Sequence, residues 1–276
     1  MTAALETAAR NEHDAEALDQ PPVLRHDRAG IATLTLNRPR QYNALSEAML
    51  DALRAELAAL AADPAVRVVV LAGAGKAFCA GHDLKEMRAR PELAYYRALF
   101  GKCSQVMQAI ATLPVPVIAR VHGLATAAGC QLVAQCDLAV ASTEARFAVS
   151  GINVGLFCAT PAVPLSRAIG RKAAMEMLMT GDFIDAATAL ERGLLNRVAA
   201  PDGLDAAVAT LAESIAAKSP VAVRAGKAMF ARQLELPLTE AYVLAGEAMA
   251  CNMMAEDAGE GIDAFIGKRP PQWRGR

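Results

Sequence analysis

Two short segments of the chain have the residue types and spacing that place backbone donors at a reacting oxygen. The first is Lys76-Ala77-Phe78-Cys79-Ala80-Gly81-His82-Asp83-Leu84-Lys85-Glu86-Met87, and the second is His122-Gly123-Leu124-Ala125-Thr126-Ala127-Ala128-Gly129-Cys130-Gln131-Leu132. Each leaves an apolar, strand-like run, crosses a glycine and opens a helix. N–H groups at a helix start have no partner inside the helix, and the helix dipole adds partial positive charge there. Two of them aimed at one oxygen form an oxyanion hole, and removing one such donor costs about 10²–10³ in rate. Strand-to-helix turns of this kind also occur in any α/β protein, so the two segments alone do not fix a function.

The side chains nearby offer less. His82 lies in the first turn and can reach a pocket, although local packing is the plainer reading. His122 at a strand end reads as a satisfied core histidine, and Glu86 as a solvated acid on a helix. Asn153, Cys158 and Thr160 fall in one glycine-containing stretch as loop hydrogen-bonding groups and a buried thiol. Cys158 has no base near it in sequence, which argues against a nucleophile. Gly73-Ala74-Gly75 follows a strand, but the third glycine of a dinucleotide-binding fingerprint falls on Phe78.

The elements that must hold these turns are legible from patterning. Val23 to Asp27 and Ile31 to Leu36 read as a hairpin joined at Ala29-Gly30. Ser46 caps a helix to about Ala62, with Met49, Leu50, Leu53, Leu57 and Leu60 at helical spacing and Asp63-Pro64 as its stop. Arg67 to Leu71, Val117 to Val121 and Asp137 to Ala141 read as strands buried on both faces. Ala72 to Asp83 reads as loop, Glu92 to Thr112 as helix, Gly123 to Thr126 as turn and Ala127 to Gln135 as a short helix. Short strands are expected at Arg146 to Val149 and Leu195 to Val198, with helices elsewhere after Pro161. Alternating strands and helices followed by helices alone predict an α/β core with a helical appendage. The expected division is a loose tail over residues 1–20, a core over 21–200 and a helical region over 201–276.

Composition narrows the classes. The chain has 276 residues, 54% of them hydrophobic, and a net charge of −1, which supports a large core and no affinity for nucleic acid. No apolar run reaches the roughly 18 residues of a membrane span. The first twenty residues carry Glu6, Glu12, Asp14, Glu16 and Asp19 and match neither a secretory nor a mitochondrial leader. The six cysteines form no CxxC pair and no metal-binding spacing, so reduced thiols, a cytoplasmic location and no metal are expected.

Phe78-Cys79-Ala80-Gly81-His82-Asp83-Leu84-Lys85, followed by Ala128-Gly129-Cys130-Gln131-Leu132 and Cys136-Asp137-Leu138-Ala139, resembles the enoyl-CoA hydratase/isomerase (crotonase) family. Leu36-Asn37-Arg38-Pro39, Thr180-Gly181 with Ala189 to Leu195, and Phe265-Ile266-Gly267-Lys268-Arg269-Pro270 extend the likeness over about residues 23–270. The resemblance implies a spiral of ββα units, trimerising C-terminal helices (as a trimer or a dimer of trimers) and a coenzyme A thioester as substrate, without a covalently bound cofactor. It implies that the N–H groups of His82 and Ala128 hold the thioester oxygen. It also implies coenzyme A contacts from Arg38, Ala80 and Lys85, with Phe265 and Lys268 reaching the nucleotide end from a neighbouring subunit.

The sequence departs from the family's hydratases where two glutamates are expected. Gln131 stands in one place and Gly151 in the other. General acid–base catalysis is worth about 10²–10⁴; glutamine cannot titrate and glycine has no side chain. The sequence therefore predicts weak or absent two-glutamate hydration. Decarboxylation, thioester hydrolysis, isomerisation and non-catalytic acyl-CoA binding stay open. Gln131, Gly151 and the run from Asn153 to Cys158 together resemble a divergent branch of the family.

Overall fold

A computed structural model describes residues 20–276. The expected N-terminal tail, Gln20 apart, lies outside the described residues. Strands β1 (Val23–Arg28) and β2 (Ile31–Leu36) form the antiparallel hairpin, with Ala29 and Gly30 both at positive φ in the turn. Helix α1 (Glu47–Ala62) begins where Ser46 accepts a hydrogen bond from the Met49 N–H, and it buries the five apolar residues that the spacing selects. Each such burial is worth roughly 1.5–3 kcal/mol.

The chain then winds through repeated strand–strand–helix units. β3 (Val68–Gly73) and β4 (Ala77–Cys79) lead into α2 (Leu84–Ala89) and α3 (Leu93–Thr112). β5 (Val117–Val121) and β6 (Leu124–Thr126) lead into α4 (Ala128–Gln135). β7 (Leu138–Ser142) and β8 (Arg146–Ala148) lead into α5 (Ala159–Ala168) and α6 (Arg171–Thr180). β9 (Ile184–Asp185), α7 (Ala186–Glu191) and β10 (Arg197–Ala199) close the core.

The first strand of each unit joins a six-stranded sheet in the order β1-β2-β3-β5-β7-β10, and the second strand joins a smaller sheet in the order β4-β6-β8-β9. Within the smaller sheet β4, β6 and β8 run parallel, with Cys79 opposite Ala125 and Thr126 opposite Ala148. That sheet corrects two sequence expectations, since Ala72 to Asp83 and Gly123 to Thr126 each contain a strand. Three-residue strands carry too little alternation to register as period two; they exist because each repeat supplies the next one with a parallel neighbour.

β3 is covered on both sides, as its unbroken valine run predicts. Val69 and Leu71 face the main core, while Val68 and Val70 meet α8 (Leu204–Ala216) through Leu204, Val208 and Ala212. Beyond α8 the described chain is helical: α9 (Pro220–Gln233), α10 (Leu238–Met253) and α11 (Glu256–Ile266). Lys227 on α9 fastens this region to the core, donating to Ile110 O and Val115 O at 3.0 Å each and to Asp137 Oδ2 at 2.7 Å. Among the described residues no single helix is long and apolar enough to cross a membrane.

Candidate active site

The two turns singled out in the sequence meet. In the first, β4 ends at Cys79, the Ala80 N–H donates to Tyr42 O at 3.0 Å, and Gly81 takes φ +94 with its carbonyl accepting from the Leu45 N–H at 2.7 Å. Asp83 then caps α2, accepting from the N–H groups of Lys85 at 2.8 Å and Glu86 at 3.2 Å. In the second turn Ala127 adopts φ 49 and ψ −119 with no side-chain cap, anchored by its N–H to Ala148 O at 2.9 Å. A Cβ placed on Gly81 lies 2.9 Å from the Ala127 Cβ and 3.2 Å from the Ala128 nitrogen, so the turns are in van der Waals contact. Gly129 packs still more closely, its missing Cβ falling 2.0 Å from Cys79 O.

Between them, the N–H groups of His82 and Ala128 donate to no oxygen of the described residues. They belong to residues that line one cavity of about 280 Å³, together with Ala80, Gly151, Cys158 and Thr160. Among the described residues no Asp, Glu, Lys or Arg lines it. Two unpaired donors on touching turns beside an uncharged wall suit a carbonyl oxygen that gains negative charge in a low-dielectric setting.

Among the described residues that line the cavity, His82 and Cys158 carry titratable side chains. The His82 imidazole lies edge-on to Phe100, with ring centroids 5.4 Å apart, and its Nδ1 is 3.3 Å from Leu45 O. Its Nε2 is covered and has no partner. Burial holds its pKa below the usual 6.5, opposed by the Leu45 carbonyl. The side chain thus packs on Phe100 while the residue lines the cavity. Burial likewise pushes the Cys158 thiol up, against a smaller lowering by the Gly151 N–H.

Gly151 is closed to a side chain by its surroundings. A Cβ there falls 2.7 Å from both Cys158 Sγ and Leu156 O, and the Leu156 N–H donates to Gly151 O at 2.9 Å. Gln131 is buried behind the turn, with Oε1 lacking a partner. Gln131 thus carries a group that cannot titrate, and the space beside Gly151 is filled by sulfur and backbone.

Several residues singled out from sequence lie away from the cavity. Asn153 is not in its wall and donates to Gly181 O at 3.4 Å. Lys85 is exposed on α2. The Arg38 guanidinium folds back on the carbonyls of Gln20, Pro21 and Asn37. Phe265, 86% exposed, and Lys268, at φ 50, sit at the end of α11. Glu86 is not simply solvated: its carboxylate accepts from the Glu47 N–H at 3.0 Å, at the start of α1. His122 is half satisfied, its Nε2 lying 2.9 Å from Gly75 O and its Nδ1 having no partner.

Sequence reasoning missed Asn43, which is fully buried between the two loops of the first turn. It also missed the hydroxyl pair Thr126–Ser150, 2.8 Å apart beside the cavity. An asparagine four residues after Pro39, before the capped helix, was the available signal for the former.

Fold and site define an α/β protein of stacked ββα units in which two helix-starting turns touch at the wall of one cavity. Residues 26–276 match the family model described as enoyl-CoA hydratase/isomerase, and the chain belongs to that family. It is 48% identical over 244 residues to the rat mitochondrial enoyl-CoA hydratase domain-containing protein 3, covering 88% of this chain and 81% of the relative. The human counterpart is 46% identical, covering 88% of this chain and 80% of the relative. Among solved structures, an enoyl-CoA hydratase of Mycobacterium smegmatis is 60% identical with a TM-score of 0.91, covering 92% of this chain and 99% of that one. The human domain-containing protein 3 structure is 45% identical with a TM-score of 0.89, covering 91% and 100%. The divergent branch that the motifs around Gln131 and Gly151 resemble is thus among the relatives. The cytoplasmic expectation is corrected by the same relatives, which are named mitochondrial. It rested on reduced thiols, which do not separate one reducing compartment from another, and on the composition of the first twenty residues.

Proposed function

We propose that the protein binds an acyl-CoA thioester and stabilises its enolate through the N–H groups of His82 and Ala128, without the acid–base pair of a hydratase. The observation that carries this reading is the pair of unpartnered donors on touching turns at the wall of an uncharged cavity. Charge that develops on the thioester oxygen strengthens both hydrogen bonds in the transition state, the condition for catalysis rather than mere binding. The relatives' printed names point to enoyl-CoA hydration, but among the described residues that line the cavity none is an Asp or Glu to move a proton to the α-carbon.

Within this reading, decarboxylation of a malonyl-type thioester fits better than isomerisation or hydrolysis. Loss of CO₂ leaves the bonding electrons on the α-carbon and the thioester oxygen, so no base is required at that step. Isomerisation needs a base, and the buried Cys158 thiol is a poor nucleophile for hydrolysis.

The reading includes self-association through the C-terminal helices, as a trimer or a dimer of trimers. In support, α10 buries none of its residues, while Leu238, Tyr242, Val243 and Met249 are each at least 65% exposed. Such an assembly gives Phe265 and Lys268 a route to the nucleotide end of a ligand held by a neighbouring copy.

The experiment is water addition to a short trans-2-enoyl-CoA by the purified protein, beside equilibrium binding of the saturated thioester. Binding without hydration is expected, followed by turnover of malonyl-type thioesters. Fast hydration sinks the claim that Gln131 and Gly151 disable that reaction. Binding with no turnover of any thioester reduces the protein to a carrier.

A further inference from the structure

The segment between β2 and α1 lines no part of the cavity, yet it braces the first turn. Asn43 is 0% exposed and sits at φ 54. Its Oδ1 accepts from the Arg38 N–H at 2.9 Å. Its Nδ2 donates toward three carbonyls, Ala77 at 2.8 Å, Ala74 at 2.9 Å and Phe78 at 3.1 Å. Turning the carboxamide over would set its oxygen against those three acceptors, so the orientation is fixed by chemistry. Two backbone bonds continue the brace, from the Ala80 N–H to Tyr42 O and from the Leu45 N–H to Gly81 O. The next residue is His82.

From these contacts we infer that Asn43 is a positioning residue: its carboxamide fixes β4 and thereby aims the His82 N–H at the thioester oxygen. The inference rests on the acyl-CoA reading above. β4 has only three residues, and its pairing with β6 shifts register between Ala77 and Cys79. The sheet alone therefore gives that strand weak definition, and Asn43 supplies bonds at both Ala77 and Phe78. A hydrogen-bond donor misaimed by even a fraction of an ångström loses the preorganisation that makes it catalytic.

Asn43→Asp separates this role from loop architecture. Aspartate tolerates positive φ and keeps the acceptor for the Arg38 N–H, but it turns a carboxylate toward three carbonyls. The readout is the infrared stretch of a ¹³C-labelled butyryl-CoA carbonyl, which falls in wavenumber when donors polarise the oxygen. The wild type is expected to lower it. Asn43→Asp is expected to bind butyryl-CoA within about threefold of wild type and to lose the lowering, and Asn43→Ser to lose it in part. Full lowering in both variants overturns the inference and leaves the acyl-CoA reading in place. Binding by the wild type without any lowering overturns both. Circular dichroism identifies a variant that does not fold; the serine variant then decides, and if it also fails, Asn43 is structural only and the inference falls.

Discussion

The turns that present His82 and Ala128 reach similar geometry by different local means. The first uses a glycine at positive φ and an aspartate that caps the following helix. The second places an alanine at φ 49 and has no capping side chain. In the first, side-chain hydrogen bonds from Asp83 and Asn43 define the path. In the second, the path is imposed by packing, with Gly129 pressed on Cys79 O and the Ala127 N–H tied to β8. Strain of the kind carried by Ala127 persists only where the surroundings over-determine it. The capped turn is specified locally, and the strained one is specified by its neighbours.

The comparison is broken most decisively at the donors themselves. Replacing the amide N–H of residue 82 or 128 by an ester oxygen through semisynthesis is expected to slow any enolate-forming turnover by about 10²–10³ at either position. Equal losses mean one shared oxygen. A loss at one position only means that the turns do not act together.

Packing at the second turn comes next. Gly129→Val forces a side chain into Cys79 O and is expected to cost about 3 kcal/mol, the upper end of typical overpacking penalties. Chemical denaturation checks it, and wild-type stability would remove packing as the determinant.

Two milder substitutions have opposite signs. Ala127→Gly relieves the positive φ and is expected to raise stability by about 1 kcal/mol. Asp83→Ala leaves two N–H groups of α2 uncapped and is expected to lower stability by about 1 kcal/mol. Thermal melts read both, and a shift of the same sign in the two variants would erase the distinction between the turns.

The smallest effect is a pH slope. Burial depresses the folded pKa of His82, and that of His122 in the same direction, below the usual 6.5. As pH falls, the unfolded chain takes up protons first. Stability is therefore full above 6.5 and declines as pH drops from there to the folded pKa values. Denaturation midpoints between roughly pH 8 and pH 5 should show that decline, and His82→Phe should flatten part of it. An unchanged slope would mean that the buried imidazole is not the source.

Legibility in the sequence followed the range of the forces involved. Helix α1 was readable because a cap and a stripe of leucines repeat within sixteen residues. The valine run of β3 was readable because burial on both faces leaves a continuous apolar string. β4 and β6 were not, since three residues carry no periodicity and their pairing partners lie far along the chain, Ala77 opposite Leu124 and Ala125 opposite Phe147. In the site, Ala80, His82, Ala128, Gly151, Cys158 and Thr160 line one cavity. Asn153 and Arg38 did not join them, because their polar groups are taken up by backbone carbonyls of neighbouring loops.

By itself, the sequence determined where the two helix starts fall, that positions 131 and 151 hold a glutamine and a glycine, and that strands give way to helices near residue 200. Those are properties of residue identity, capping and spacing, which act over a few residues. Only the tertiary structure decided that the turns touch through Gly81 and Ala127, that Cys158 and Leu156 fill the space beside Gly151, and that Asn43 braces β4. Each depends on parallel pairing and close packing between segments distant in the chain, where ångström-scale separations, invisible to local pattern, set which groups meet.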